Sequence, residues 1–294
     1  MKGRLKYKAE NSPKAWLYLL PALIFIFVFN VYPLFRTFSM ALKSNSILSP
    51  EFVGLENFTF ILKDPQFHRA MRNTFIYAIT VVPMSIIISM VIALILNTKI
   101  KGAKFFETIF FIPYLTSVIA IGIVFRYLLN GDYGFINFLL NKLGFESYDF
   151  LNNPNYNMIA LIIFGIWNSL AFNIIIIISG LRGIDKSYYR IAETFGANKW
   201  EQFKKITLPQ LNNILTFLSI TSFIGAFKIY GQVFALFNGK AGIGNRLLTA
   251  VFYIFNKFYV ENRYGYAMAA SVILFILLLV LTLIQRFIFK KLED

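Results

Sequence analysis

Cysteine is missing from all 294 positions, which excludes disulfides and thiolate metal sites and leaves the compartment open. Histidine occurs once, at His68 in a connecting segment, and is assigned no role as ligand or base. No Ser-His-Asp set and no metal-ligand constellation can be assembled, so no catalytic residue and no metal site are assigned. The phosphate-cradling pattern G-x-x-x-x-G-K-[ST] does not occur either, and no cofactor is expected in this chain. Acidic residues are scarce, 14 against 29 Lys and Arg. None lies inside the long apolar runs, Glu107 at the edge of the third being the nearest case. Proton- and sodium-coupled carriers usually keep carboxylates at mid-membrane, so a transporter with this sequence must take its energy from elsewhere. No repeat of solenoid period, low-complexity tract or appended soluble domain is expected.

What the chain has in excess is apolar surface. Hydrophobic residues make up 57% of it and aromatics 18%, with a mean hydropathy of +0.63. Soluble domains sit near 45–50% apolar. A helix needs roughly 20 apolar residues to cross the hydrocarbon core. Six stretches qualify: about 15–41, 73–97, 105–129, 158–180, 210–236 and 266–289. The expected fold is therefore all-α, a polytopic membrane protein with six transmembrane helices. Residues 15–294 would form a single transmembrane domain behind a 1–14 cytoplasmic tail. The tail carries Lys2, Arg4, Lys6, Lys8 and Lys14, but the run behind it exceeds a signal peptide's apolar region and shows no small-x-small site, so it reads as a retained first span. Pro33, Pro83 and Pro113 fall within the first three runs and mark either kinks or packing irregularities.

The net charge of +15 does not imply nucleic acid, because the cations cluster at the ends of apolar runs, as membrane topology requires. The tail, Lys99, Lys101 and Lys104, the cations of 182–205 and those of 286–291 outnumber the ones in 42–72, 130–157 and 237–265, although the latter connections are longer. Both termini and the 181–211 segment are expected inside the cell. The three outer connections mix Gly, Asn, Asp and Pro with aromatics and read as compact, packed loops.

Residues 181–211 form a polar segment between two apolar runs that still carries helical periodicity. Tyr188, Ile191, Ala192 and Phe195 stand at i, i+3, i+4 and i+7. Gly196 interrupts, as a residue able to take positive φ would. Trp200, Phe203 and Ile206 then share one side, and Pro209 suits the first turn of the next run. A surface helix-turn-helix with exposed aromatics and a basic flank is a docking surface. Two readings of Lys228 stand: a functional cation within the fifth run, or a side chain that reaches the outer surface along its own methylenes. Asn168, Asn173, Thr221, Ser222, Tyr230 and Gln232 offer the amides, hydroxyls and aromatic faces that a sugar ring needs, or else interhelical hydrogen bonds.

The 181–211 segment resembles the EAA loop of ABC importer permeases, the coupling element that docks on the ATPase subunit. The resemblance is carried by LRGI at 181–184, Tyr189, Ala192, Gly196-Ala197, Trp200, Phe203 and ITLP at 206–209, with the family's spacing from glycine to proline. FVGLENF and KDPQFHRAMRNTF in the first outer connection, KGAKFFETIFFIPYLTSVIAIGIVFRYLLN with GDYGFINFLL, and RYGYAMAASVILFI resemble the carbohydrate-importing group. The resemblance implies a permease subunit that moves a sugar or oligosaccharide across the bacterial cytoplasmic membrane. A glycerol phosphate or acidic oligosaccharide, or an ATP-independent carrier, are the alternatives. The implied partners are a second homologous permease, two ATPases that bind ATP and Mg in its stead, an extracytoplasmic solute-binding protein and the lipid bilayer. The coupling segment, 181–209, would use Tyr189, Arg190, Ala192, Glu193, Phe195, Gly196, Ala197, Trp200, Phe203 and Pro209; the pathway would use Asn168, Asn173, Thr221, Ser222, Lys228 and Tyr230. Two positions depart from the family: its glutamate falls at Arg190 and its aspartate at Phe195. Three readings stand: the ATPase surface is altered to match, Glu193 takes over the ion pair, or docking rests on the apolar contacts of Tyr189, Ala192, Phe195 and Trp200. The last is the expectation, since buried aromatic anchors outweigh rim ion pairs.

Because the chain has no native cysteine, a single Ser187→Cys variant reports on its own. A membrane-impermeant maleimide is expected to label it only after the membrane is opened, and to label Asn152→Cys on intact cells. Labelling of Ser187→Cys from outside would reverse the orientation.

Overall fold

A computed structural model describes residues 13–46, 49–98 and 102–293. Most of the N-terminal tail, with Lys99 and Lys101, lies outside the described residues. Among the described residues the fold is helical, apart from one isolated bridge between Lys43 and Phe52. Helix α1 covers Trp16–Ala41. Its turn at Phe27–Val31 is widened to π geometry just ahead of Pro33, where a proline ring would strike the carbonyl of residue 29 in a regular helix. The short α2 (Glu56–Lys63) follows. Asp64 then caps α3 (Pro65–Asn97), its carboxylate accepting from the Gln66 N–H at 2.8 Å.

Beyond Gly102, whose φ of +88° only glycine adopts readily, run α4 (Ala103–Leu115) and α5 (Val118–Leu128). The sequence predicts one continuous span over 105–129. The structure breaks it at Thr116 and Ser117 and bends it by 104°. Pro113 removes an N–H from the ladder, and Thr116 and Ser117 are extended, with the Thr116 hydroxyl donating to the Ile112 carbonyl at 3.1 Å. Next come α6 (Phe135–Lys142), α7 (Asn157–Gly183), α8 (Lys186–Thr194) and α9 (Lys199–Gln202). A π-turn at Phe203–Thr207 and a helical turn at Leu208–Gln210 lead into α10 (Asn212–Phe227). This π-turn again lies one turn ahead of a proline, Pro209. The chain ends with α11 (Gly231–Leu236), α12 (Ala250–Phe255) and α13 (Tyr264–Glu293).

The fifth expected span, 210–236, is also corrected. Its helix stops at Phe227, and Lys228 closes it rather than sitting inside it. Helix α3, the second expected span, is longer than the 73–97 run because Asp64 and Pro65 start it eight residues earlier, in sequence too polar to be read as membrane. Among the described residues four helices are long and apolar enough to cross a bilayer, or five with the bent pair counted as one span.

The core forms where α3 packs against α7. At its tightest point Gly165 on α7 faces the ring of Tyr77, a residue only 3% exposed, and a Cβ at Gly165 would lie 2.2 Å from the Tyr77 hydroxyl. Toward the 181–211 end, Met90, Ala93 and Leu96 meet Ile174, Ile177, Leu181, Leu211 and Leu218. At the opposite end asparagines hold the connections in place. The Asn57 amide donates to the carbonyls of Ala41 (2.8 Å) and Lys43 (2.7 Å), and the Asn137 amide to those of Asn130, Gly131 and Tyr148. The Tyr253 hydroxyl donates to Asp64 Oδ2 at 2.7 Å beside Lys257; burial, then that carboxylate, push the phenol above its usual range.

Gly165→Ala overfills the α3–α7 contact and is expected to cost roughly 1–3 kcal/mol, seen as a lower melting temperature of the detergent-solubilised protein.

Candidate functional site

The 181–211 segment folds as a helical hinge continuous with the bundle. Leu181–Gly183, expected at the start of a loop, are the last turn of α7. Asp185 caps α8 by accepting from the Ser187 N–H at 2.8 Å, and that hydrogen bond is the main reason its carboxyl lies below the usual range. After α8 the chain reverses at Gly196 (φ +76°), with the Ala197 N–H returned to the Ala192 carbonyl at 3.0 Å. Asn198 opens α9 with a reciprocal cap: its side chain accepts from the Glu201 N–H, and the Glu201 carboxylate accepts from the Asn198 N–H, both at 2.9 Å. The Lys199 ammonium donates to Glu193 Oε1 at 2.7 Å across the turn. That bond, reinforced by the ammonium charge and by Gln202, holds the Glu193 carboxyl below its usual range.

The hinge has two faces. On the inner one, Gln202, 4% exposed, donates to the Ala197 carbonyl at 3.1 Å, and the hydroxyls of Tyr189 and Thr207 meet at 2.9 Å. Tyr189 and Ile206 pack on the Met90–Ile177 cluster. On the outer face Phe195 is 86% and Trp200 68% exposed, beside Tyr188 and Ile191. The Trp200 and Phe203 rings stack at 5.5 Å. The residues read together from the sequence thus divide: Tyr189 joins the seam to the bundle, Phe195 stands free of it, and Trp200, though exposed, borders a groove of about 880 Å3 with Tyr189, Gln202 and, from α3, Met90 and Val91. Arg190 is exposed, Ala192 and Ala197 are half-buried, and Pro209 is exposed in the turn before α10. Arg182, at the end of α7, pairs with Glu107 on α4 and ties the bent span to the hinge.

The α4–α5 break opens a second site, a cavity of about 370 Å3. Four predicted pathway residues, Asn168, Asn173, Thr221 and Ser222, line it. Tyr114, Thr116, Ser169 and Phe172 join them, with the Tyr114 and Phe172 rings stacked at 5.8 Å. Their common lining of one cavity is a tertiary feature that no local pattern in the sequence shows. No charged side chain lines the cavity. Part of its polarity is used internally: Asn173 donates to Ser85 Oγ at 3.3 Å and Thr221 to the Phe217 carbonyl at 2.8 Å. Lys228 and Tyr230 lie elsewhere. Lys228 borders a separate, mainly apolar space between α10, α12 and α13, and Tyr230 packs on Phe234, Phe252 and Phe255.

Residues 75–294 match the family described as binding-protein-dependent transport system inner membrane component. The lactose transport system permease protein LacF of Rhizobium radiobacter is 30% identical over 287 residues, covering 96% of each chain. The arabinooligosaccharides transport system permease protein AraP of Bacillus subtilis is 32% identical over 283 residues, covering 96% of this chain and 89% of that protein. Among solved structures, a bacterial ABC transporter involved in import of the acidic polysaccharide alginate has a chain that superposes with a TM-score of 0.80 at 21% identity, covering 96% of each. That likeness shows a shared fold.

Asn198→Ala is expected to loosen the hinge by about 1 kcal/mol, read as faster amide exchange over 186–207. Acid acts in the same sense. The depressed carboxyls of Asp185 and Glu193 contribute order that is present above their unfolded pKa and lost as pH falls through the folded one. Glu193→Gln should make exchange at the turn less sensitive to acid.

Proposed function

The chain belongs to the family of binding-protein-dependent transport system inner membrane components, and from that premise we propose how it works as the permease subunit of an ATP-driven sugar or oligosaccharide importer. It is a transport component, not an enzyme. The observation that carries the mechanism is the two-faced hinge: exposed aromatics on a unit whose Tyr189 and Ile206 pack against α3 and α7. A partner gripping Phe195 and Trp200 moves Tyr189, Gln202 and Thr207 with them, and through Leu181 and Leu211 the two helices that flank the hinge. The partner is an ATPase, present as two copies that bind ATP and Mg. Glu193 is already paired with Lys199, so the docking energy comes from the aromatics.

The hinge then lies in the cytoplasm with both termini, in a protein of the bacterial cytoplasmic membrane. The chain crosses six times, with the bent α4–α5 pair as one crossing and α10 with the segment after it as another. A second homologous permease completes the pathway, and an extracytoplasmic binding protein delivers the solute to the far end. ATP-driven closure rocks the bundle between two packed states, and hydrolysis resets it. The cavity at the α4–α5 break receives the solute. Its amides, hydroxyls and stacked rings suit an uncharged sugar, and Lys228, the feature that would favour an anionic substrate, does not line it.

Trp200→Ala is expected to lose the co-purifying ATPase, and Arg190→Ala to retain it. The reverse result would return docking to the ion pair.

A further inference from the structure

At the end of the bundle opposite the hinge lies a concave basic site of about 820 Å3 that the transport cycle above does not use. Arg69 and Arg72, from the first two turns of α3, line it with His68 and with Arg246 from the connection before α12. No Asp or Glu lines it, and among the described residues none of these guanidiniums has a carboxylate within 4.0 Å. The arrangement is built rather than incidental. The Asn73 amide donates to the carbonyls of Arg246 (2.7 Å) and Leu248 (2.9 Å), which pins the Arg246 backbone against α3. Asn157 also lines the site; it is 1% exposed, and its amide nitrogen has no acceptor.

Like charges gathered in a hollow repel, and a buried donor without an acceptor is costly. An oxyanion among the guanidiniums relieves the repulsion. Guanidinium forks match a carboxylate in shape and can bind it through two parallel hydrogen bonds. The hollow is far larger than one small ion, so it has room for a carboxylate presented on a protein loop. We propose that this pocket receives an acidic side chain of the extracytoplasmic binding protein and so fixes how that protein lands on the permease. The proposal rests on the binding-protein-fed reading above and on the cytoplasmic placement of the hinge, which leaves this end outside. Paired charges of this kind govern encounter rate and orientation, and their effect weakens as salt rises.

The test uses the assembled importer in lipid nanodiscs, with its own binding protein dye-labelled and titrated at low and at physiological ionic strength. Arg72→Glu and Arg246→Glu are expected to weaken binding about tenfold at low salt and to flatten its salt dependence. Lys142→Glu, a charge reversal outside the pocket, should leave both unchanged. Arg246→Gln gives the same test in a milder form if a glutamate variant fails to assemble, with about a threefold loss. Unchanged affinity and unchanged salt dependence in the arginine variants would overturn the proposal. Sodium phosphate is the second titrant. Tight phosphate binding that Arg246→Gln abolishes, with binding-protein affinity unaffected, would make this a small-anion site and also overturn it. A wild-type importer whose ATPase activity does not respond to the binding protein at all would defeat the importer reading itself, a separate failure visible before any variant is made.

Discussion

A backbone N–H or C=O facing hydrocarbon has no water to bond, so every departure from helix inside the bundle has to be supplied with partners by the protein. The departures seen here all meet that demand locally. Ahead of Pro33 and Pro209 the helix widens to a π-turn instead of breaking. At Thr116 a hydroxyl returns to the Ile112 carbonyl, and at Lys228 the chain closes onto Ile224 and Gly225. The bend at 116–117 opens a polar cavity between helices. The site read as the solute's is thus a by-product of how one proline and two hydroxyl residues interrupt a span.

The hinge obeys the same constraint at the water boundary. Its helices are too short to hold together by propensity, so they depend on caps, on the Glu193–Lys199 pair and on the seam of Tyr189, Gln202 and Thr207. The outer face presents large apolar rings to water, an arrangement that marks an interaction surface. Rigidity toward the bundle and exposure away from it are what a lever needs. The Arg182–Glu107 pair extends that connection to the bent span, so hinge and cavity belong to one mechanical unit.

At the opposite end asparagine takes the place of regular structure. Asn57, Asn73 and Asn137 each donate to two or more backbone carbonyls of a different segment, so that connections without strands or long helices still hold one shape. A single amide with two N–H donors can bridge carbonyls that have no other partner. The Asp64–Tyr253–Lys257 cluster adds a buried ionic tie between the start of α3 and the segment after α12.

Helical class, the four long spans and the two-turn hinge were legible in the sequence, because long apolar runs, a 3.6-residue stripe over 188–195 and a glycine between aromatics are local features with local causes. The same holds for Gly196, whose left-handed φ the stripe's interruption anticipates. The division into a Tyr189 held in the seam and a freely exposed Phe195 was not legible. It depends on which side of the hinge meets α3, an element far away in the sequence. Nor could hydropathy reveal that the third run bends by 104° or that α10, the helix of the fifth run, ends before Lys228. Apolar composition reports that a stretch prefers lipid, whereas its path through the bundle is decided by which neighbours stand ready to satisfy its backbone.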